Sequence, residues 1–130
     1  MTMKVAVSTA VRGTEDPEKV IRAVKNIFPR LNVRLVSEIG EERLEAEGEG
    51  KESLERFRKI LSSRRIRSAA KSTMLQGRAK RGLTFYLHKQ AAFAGQVSFC
   101  ESHLESPLGP IRVTLSGTNP DEIVEWLTAR

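Results

Sequence analysis

The chain reads as a single α+β domain over residues 1–130. The expected architecture is a mostly antiparallel (mixed) sheet with helices packed mainly on one side, in the rough order βαββααβ(α)ββα. Three observations predict this. Short segments alternate apolar and polar residues with period two, as strands with one buried face do. Other segments repeat apolar residues every three to four positions, as helices with one buried stripe do. Finally, 130 residues with 39% hydrophobic content suit one domain with a real core, and no linker, low-complexity run or long repeat divides them.

Taken in order, Lys4 to Val11 is the first strand, with Val5, Val7, Thr9 and Val11 on one face. Asp16 can cap the helix that follows, and Pro17 suits its first position. Val20, Ile21, Val24, Ile27 and Phe28 form its apolar stripe, and Pro29 ends it. Residues 33–37 make a second strand, Ile39-Gly40-Glu41-Glu42 a turn, and residues 43–49 a third strand. In that third strand Leu44, Ala46 and Gly48 face inward, while Arg43, Glu45, Glu47 and Glu49 form an acidic outer face.

Residues 53–61 are helical, with Leu54, Phe57, Ile60 and Leu61 inward, and Ser62-Ser63 breaks or bends the helix. A second helix is expected over residues 65–78. Residues 83–87 form a strand with Leu83, Phe85 and Leu87 inward and Thr84, Tyr86 and His88 on the other face. Residues 89–94 make one or two helical turns closed by Gly95, residues 97–99 a brief strand, and residues 101–109 a loop. Residues 111–116 are the last strand. Asn119-Pro120 then opens a helix that buries Ile123, Val124 and Leu127, with Trp126 at the edge of its stripe.

Charge is distributed unevenly. Residues 56–100 hold half of the 22 Lys and Arg residues and none of the 16 Asp and Glu residues. Such asymmetry points to an acidic partner, with nucleic acid first among the candidates. Cys100 is the only cysteine, which excludes an internal disulfide and a Cys-based zinc site and fits a reduced, cytoplasmic setting. No apolar run approaches the ~20 residues that span a bilayer, so no membrane partner is expected. His88 and His103 lack ligand partners at metal-binding spacing, and no nucleophile elbow occurs. The chain therefore reads as a non-enzyme without cofactor or metal.

Within the basic stretch, a helix would advance about 100° per residue. Arg64, Arg67, Lys71 and Arg78 would then share a ridge able to follow a phosphate backbone, with Ile66, Ala69, Ala70, Thr73 and Gly77 packed down opposite. Lys80 and Arg81 add charge at the following turn, and Tyr86 offers a ring on which a base could stack. The strand signature of RNA-recognition domains is matched only at Arg81, Gly82 and Phe85. Gly77 and Gly82 have phosphate-loop spacing, but Leu83-Thr84 stands where Lys and Ser/Thr are needed. The competing reading is a ridge already neutralised by Glu45, Glu47 and Glu49, within the chain or across a dimer.

Leu87-His88-Lys89-Gln90-Ala91-Ala92-Phe93-Ala94-Gly95 and Glu105-Ser106-Pro107-Leu108-Gly109-Pro110-Ile111 are similar to signatures of one uncharacterised archaeal protein family. His88 departs from the Asn usual there. The resemblance covers nearly the whole chain. It implies an α+β fold like that of a ribosomal protein that binds ribosomal RNA, the source of that family's RNA-binding label, and it implies a homodimer. Fold likeness alone does not establish function. The expectation is a non-enzymatic RNA-associated protein using Arg64, Arg67, Lys71, Arg78, Lys80, Arg81 and Tyr86. The alternative is a homodimeric scaffold or protein-interaction module whose ridge meets its own or a partner's carboxylates.

Overall fold

The computed structural model describes residues 3–63, 66–100 and 110–129. Strand β1 (Lys4–Val11) alternates exposure along its length and buries Val5, Val7, Thr9 and Val11. Helix α1 (Pro17–Ile27) starts where the Asp16 carboxylate accepts the Glu18 backbone N–H. It buries Val20, Ala23, Val24 and Ile27. The β2 (Asn32–Glu38) and β3 (Glu41–Glu49) strands form a hairpin around Ile39-Gly40, both with positive φ. A two-residue turn of that hand matches the twist of paired strands. Glu41 and Glu42, expected in the turn, belong to β3.

A 3-10 turn at Lys51–Leu54 leads into α2 (Glu55–Ser63), which buries Phe57, Ile60 and Leu61. Helix α3 (Arg67–Gln76) is shorter than expected. Its buried residues are Ala70 and Met74, with Ile66 packed against the core, whereas Ala69 is exposed. Beyond α3, residues 78 and 79 form a strand, β4 (Arg78–Ala79), that pairs with β5 (Gly82–Leu87). Helix α4 (Lys89–Phe93) and strand β6 (Phe99–Cys100) follow. The expected loop at residues 101–109 lies outside the described residues. Strand β7 (Ile111–Ser116) leads into α5 (Pro120–Thr128), capped by Asn119 Oδ1, which accepts the Glu122 N–H.

The strands form one seven-stranded sheet in the order β2-β3-β1-β7-β5-β4, with β6 also paired to β5. Every pairing between strands is antiparallel. The inward residues Val5, Val7, Leu44, Ala46, Phe85, Val113 and Leu115 pack with the helix stripes in a single core cluster. Phe57 stands at its centre, with ring centroids 5.4 Å from Phe28 and 5.5 Å from Phe85. The fold is thus α+β with the helices on one face of the sheet. The other face carries Ala6, Ser8, Arg43, Thr84, Tyr86, Arg112 and Thr114, all exposed or half-buried.

Two glycines are set by close backbone approach. A Cβ on Gly77 would collide with the Thr84 carbonyl oxygen, and one on Gly82 with that of Leu115. Their phosphate-loop spacing is a packing requirement, the first between the end of α3 and β5, the second between β5 and β7.

Candidate nucleic-acid interface

The basic stretch becomes a helix-and-turn surface rather than one helical ridge. Arg67 and Lys71 lie on α3, a turn apart. Arg78 sits in β4, so it does not continue their helical face. Lys80 and Arg81 occupy the exposed turn between β4 and β5. The Arg81 carbonyl accepts the Gly117 and Thr118 N–H groups, at 2.9 and 3.3 Å, which ties this turn to the loop before α5. Arg64 lies outside the described residues.

The expected acidic partners of the ridge are elsewhere. Glu45 pairs with Arg34 at 3.1 Å across the β2–β3 ladder. Helix α5 supplies the ridge's carboxylates instead. Lys71 meets Glu125 at 3.2 Å, and Arg78 meets Asp121 at 2.9 Å. Both pairs are open to water, with Lys71 47% and Glu125 72% exposed, and Arg78 52% and Asp121 65%. Pairs of this kind contribute about 0–1 kcal/mol and leave their cations available to a stronger anion. Among the described residues Lys80 and Arg81 have no ion pair, and the Arg67 side chain makes one hydrogen bond, to the Ser62 hydroxyl at 3.4 Å.

Two other cations of the acid-free stretch are committed to structure. Arg58 donates from Nε to the Trp126 carbonyl at 2.9 Å and lies 5.1 Å from the Trp126 ring centroid. Lys89 is fully buried. It donates to the Ala10 carbonyl at 2.7 Å and to Glu15 Oε1 at 3.1 Å. The same Glu15 oxygen accepts the Arg12 backbone N–H at 2.9 Å, while Glu15 Oε2 is buried without a hydrogen-bond partner. Burial pushes the Lys89 pKa below its ordinary value, the Glu15 carboxylate opposes that shift, and the Arg12 charge adds to it. Lys89 thereby fixes the segment between β1 and α1, including Arg12.

Tyr86 is separated from the other candidates. It is half-buried on the face of β5 turned away from the helices, near the opposite end of that strand from Lys80 and Arg81. Its cross-strand neighbours are Arg112 on β7 and Cys100 on β6. Tyr86 and Arg112 line a cleft of about 910 Å³ at the end of the sheet, together with Arg12, Arg43, Glu41 and Glu42. The three arginines escaped the sequence reading because they lie more than 30 positions apart along the chain. Their only signal was that Arg43 and Arg112 occupy outward positions of alternating strands.

Comparison with known proteins places this geometry in a family. A family model described as RNA binding matches residues 4–116. A UPF0201 protein of Aeropyrum pernix is 40% identical over 126 residues, covering 96% of this chain and 84% of that protein. Another, from Pyrobaculum arsenaticum, is 41% identical over 130 residues, covering 98% and 90%. The crystal structure of a UPF0201 protein from Methanococcus jannaschii superposes with a TM-score of 0.86 at 27% identity, covering 96% of this chain and 98% of that one. The chain therefore belongs to the UPF0201 family of archaeal proteins, the uncharacterised archaeal family its sequence resembles.

Proposed function

We propose that this protein is a non-enzymatic RNA-associated protein whose phosphate-binding surface is formed by α3 and the β4–β5 turn. The observation that carries this reading is the state of the cations there. Arg67, Lys80 and Arg81 have no carboxylate partner among the described residues, and Lys71 and Arg78 are held only by water-exposed pairs. A surface of this kind suits phosphate, because bound counterions are released as each phosphate is neutralised. The family description adds support. The test is binding of a structured RNA, such as a ribosomal RNA fragment, from low to moderate salt. Arg67→Glu/Lys71→Glu should weaken binding at least about tenfold at low salt and flatten the salt dependence. Absence of wild-type binding at low salt, or an unchanged mutant, sinks the proposal.

A second reading, a homodimer, is favoured by one feature. Strand β2 is an edge with no strand beyond it among the described residues. On and beside it Leu35 is 46% exposed and Ile39 fully exposed. Ile39 also adopts a left-handed backbone with φ of 45°, which is costly for a β-branched residue. Exposed apolar residues on an unpaired edge suit a second chain. Dimerisation through β2 would leave the surface of α3 and the β4–β5 turn, at the far side of the sheet, open to RNA.

A further inference from the structure

We infer that the cleft around Tyr86 is a second RNA contact that takes one unpaired ribonucleotide, with the base against the Tyr86 ring and the phosphate held by Arg112 and Arg43. This inference rests on the RNA reading above but concerns different residues, at the other end of the sheet and on its other face. Arg112 pairs in register with both Tyr86 and Ser8, and Arg43 with Ala10. Alternation places Arg43, Arg112 and Tyr86 on the same, helix-free face. Arg112 and Tyr86 are direct cross-strand neighbours, about 5 Å apart at their Cα atoms.

The chemistry of the lining fits a nucleotide better than a simple anion. The Arg12, Arg43 and Arg112 guanidinium groups are exposed and have neither an ion pair nor a hydrogen bond from their side chains among the described residues. Arg34, which lies on the same face, is paired with Glu45. Among the described residues Tyr86 Oη likewise has no hydrogen-bond partner. Glu41 and Glu42 bring carboxylates to the same cleft. Those carboxylates would repel excess anionic charge, yet they can accept hydrogen bonds from ribose hydroxyls or base amino groups. Cations for phosphate, an aromatic face for the base and acceptors for the sugar are what a single nucleotide requires. The cleft volume of about 910 Å³ lies within the usual range for small-ligand sites. Tyr86 is half-buried within it. Aromatic side chains take bases that are unstacked and splayed out, so the ring suits an unpaired base rather than one inside a duplex.

The test uses fluorescence anisotropy with a fluorescein-labelled hexa-adenylate, with adenosine monophosphate, the deoxy hexamer and a blunt RNA duplex as competitors. Tyr86→Ala should weaken hexamer binding about tenfold or more. Tyr86→Phe, which keeps the ring, should stay within about twofold. Arg112→Ala should weaken binding and lower the log–log salt slope by about 0.7. These losses should persist in the Arg67→Glu/Lys71→Glu background, and both the duplex and the deoxy hexamer should compete poorly. Hexamer binding that is indifferent to Tyr86 and Arg112 overturns the cleft inference and leaves the RNA reading standing. Binding of the monophosphate as tightly as the hexamer, with the same Tyr86 dependence, makes the cleft a free-nucleotide site and overturns the strand contact. Equal competition by the duplex or the deoxy hexamer overturns the unpaired-ribonucleotide specificity. No binding of the hexamer or the monophosphate by the wild type overturns the inference, and the RNA reading then stands or falls on the structured RNA alone.

Discussion

Lys89 shows most clearly how one residue can be misread from charge alone. In the sequence it is one cation of an acid-free stretch. In the fold it is buried, bonded to the Ala10 carbonyl and Glu15, and unavailable to any phosphate. Lys89→Met should destabilise the protein by about 3–5 kcal/mol in urea unfolding, because Glu15 is left buried without its cation. Adding Glu15→Gln should recover part of that loss. The pH dependence has a definite sign. Burial lowers the Lys89 pKa in the folded state from the ordinary 10.5. Between the folded value and 10.5 the unfolded chain holds a proton that the folded chain has released. The contribution of Lys89 should therefore make stability rise with pH in that window, relative to Lys89→Met. A falling contribution would mean that attraction to Glu15 outweighs desolvation.

Among the elements, α5 most changes the reading of the basic surface. Its hydrophobic stripe of Ile123, Val124 and Leu127 was legible from spacing, and so was its Asn119-Pro120 start. Its outward residues had no such signal. Only packing beside α3 brings Glu125 to Lys71, and only the pairing of β4 with β5 brings Arg78 to Asp121. Strand β4 was missed because two residues carry no readable period. If α5 tempers the basic surface, Asp121→Asn/Glu125→Gln should cost less than about 1 kcal/mol per pair. It should also tighten RNA binding and steepen its salt dependence. Weaker binding by this variant would show that the two pairs hold the cations in the binding arrangement.

At the scale of the molecule, the sheet separates two groups of basic residues and leaves an exposed strand at its edge. The α3 and β4–β5 cations lie at one end, the Tyr86 cleft at the other, and β2 along the far edge. Light scattering should find wild-type dimers, and Leu35→Lys/Ile39→Asn should shift them to monomers. Stability should not suffer at position 39, since Asn tolerates left-handed backbone better than Ile. A monomeric wild type at all accessible concentrations removes the dimer reading, and a dimer indifferent to these changes moves the interface away from β2.

By itself the sequence determined the α+β class, most of the elements and the inward face of nearly every one, because burial imposes periods of two and 3.6 on the chain that folds. It also held the family signatures and the uneven charge. Tertiary structure alone decided which charges are available. Whether Lys71, Arg78 and Lys89 are free, paired or buried depends on residues from 43 to 79 positions away. The grouping of Arg12, Arg43 and Arg112 around Tyr86 likewise depends on strand order and register. Local periodicity is written along the chain, whereas electrostatic partnership is set by distances across it.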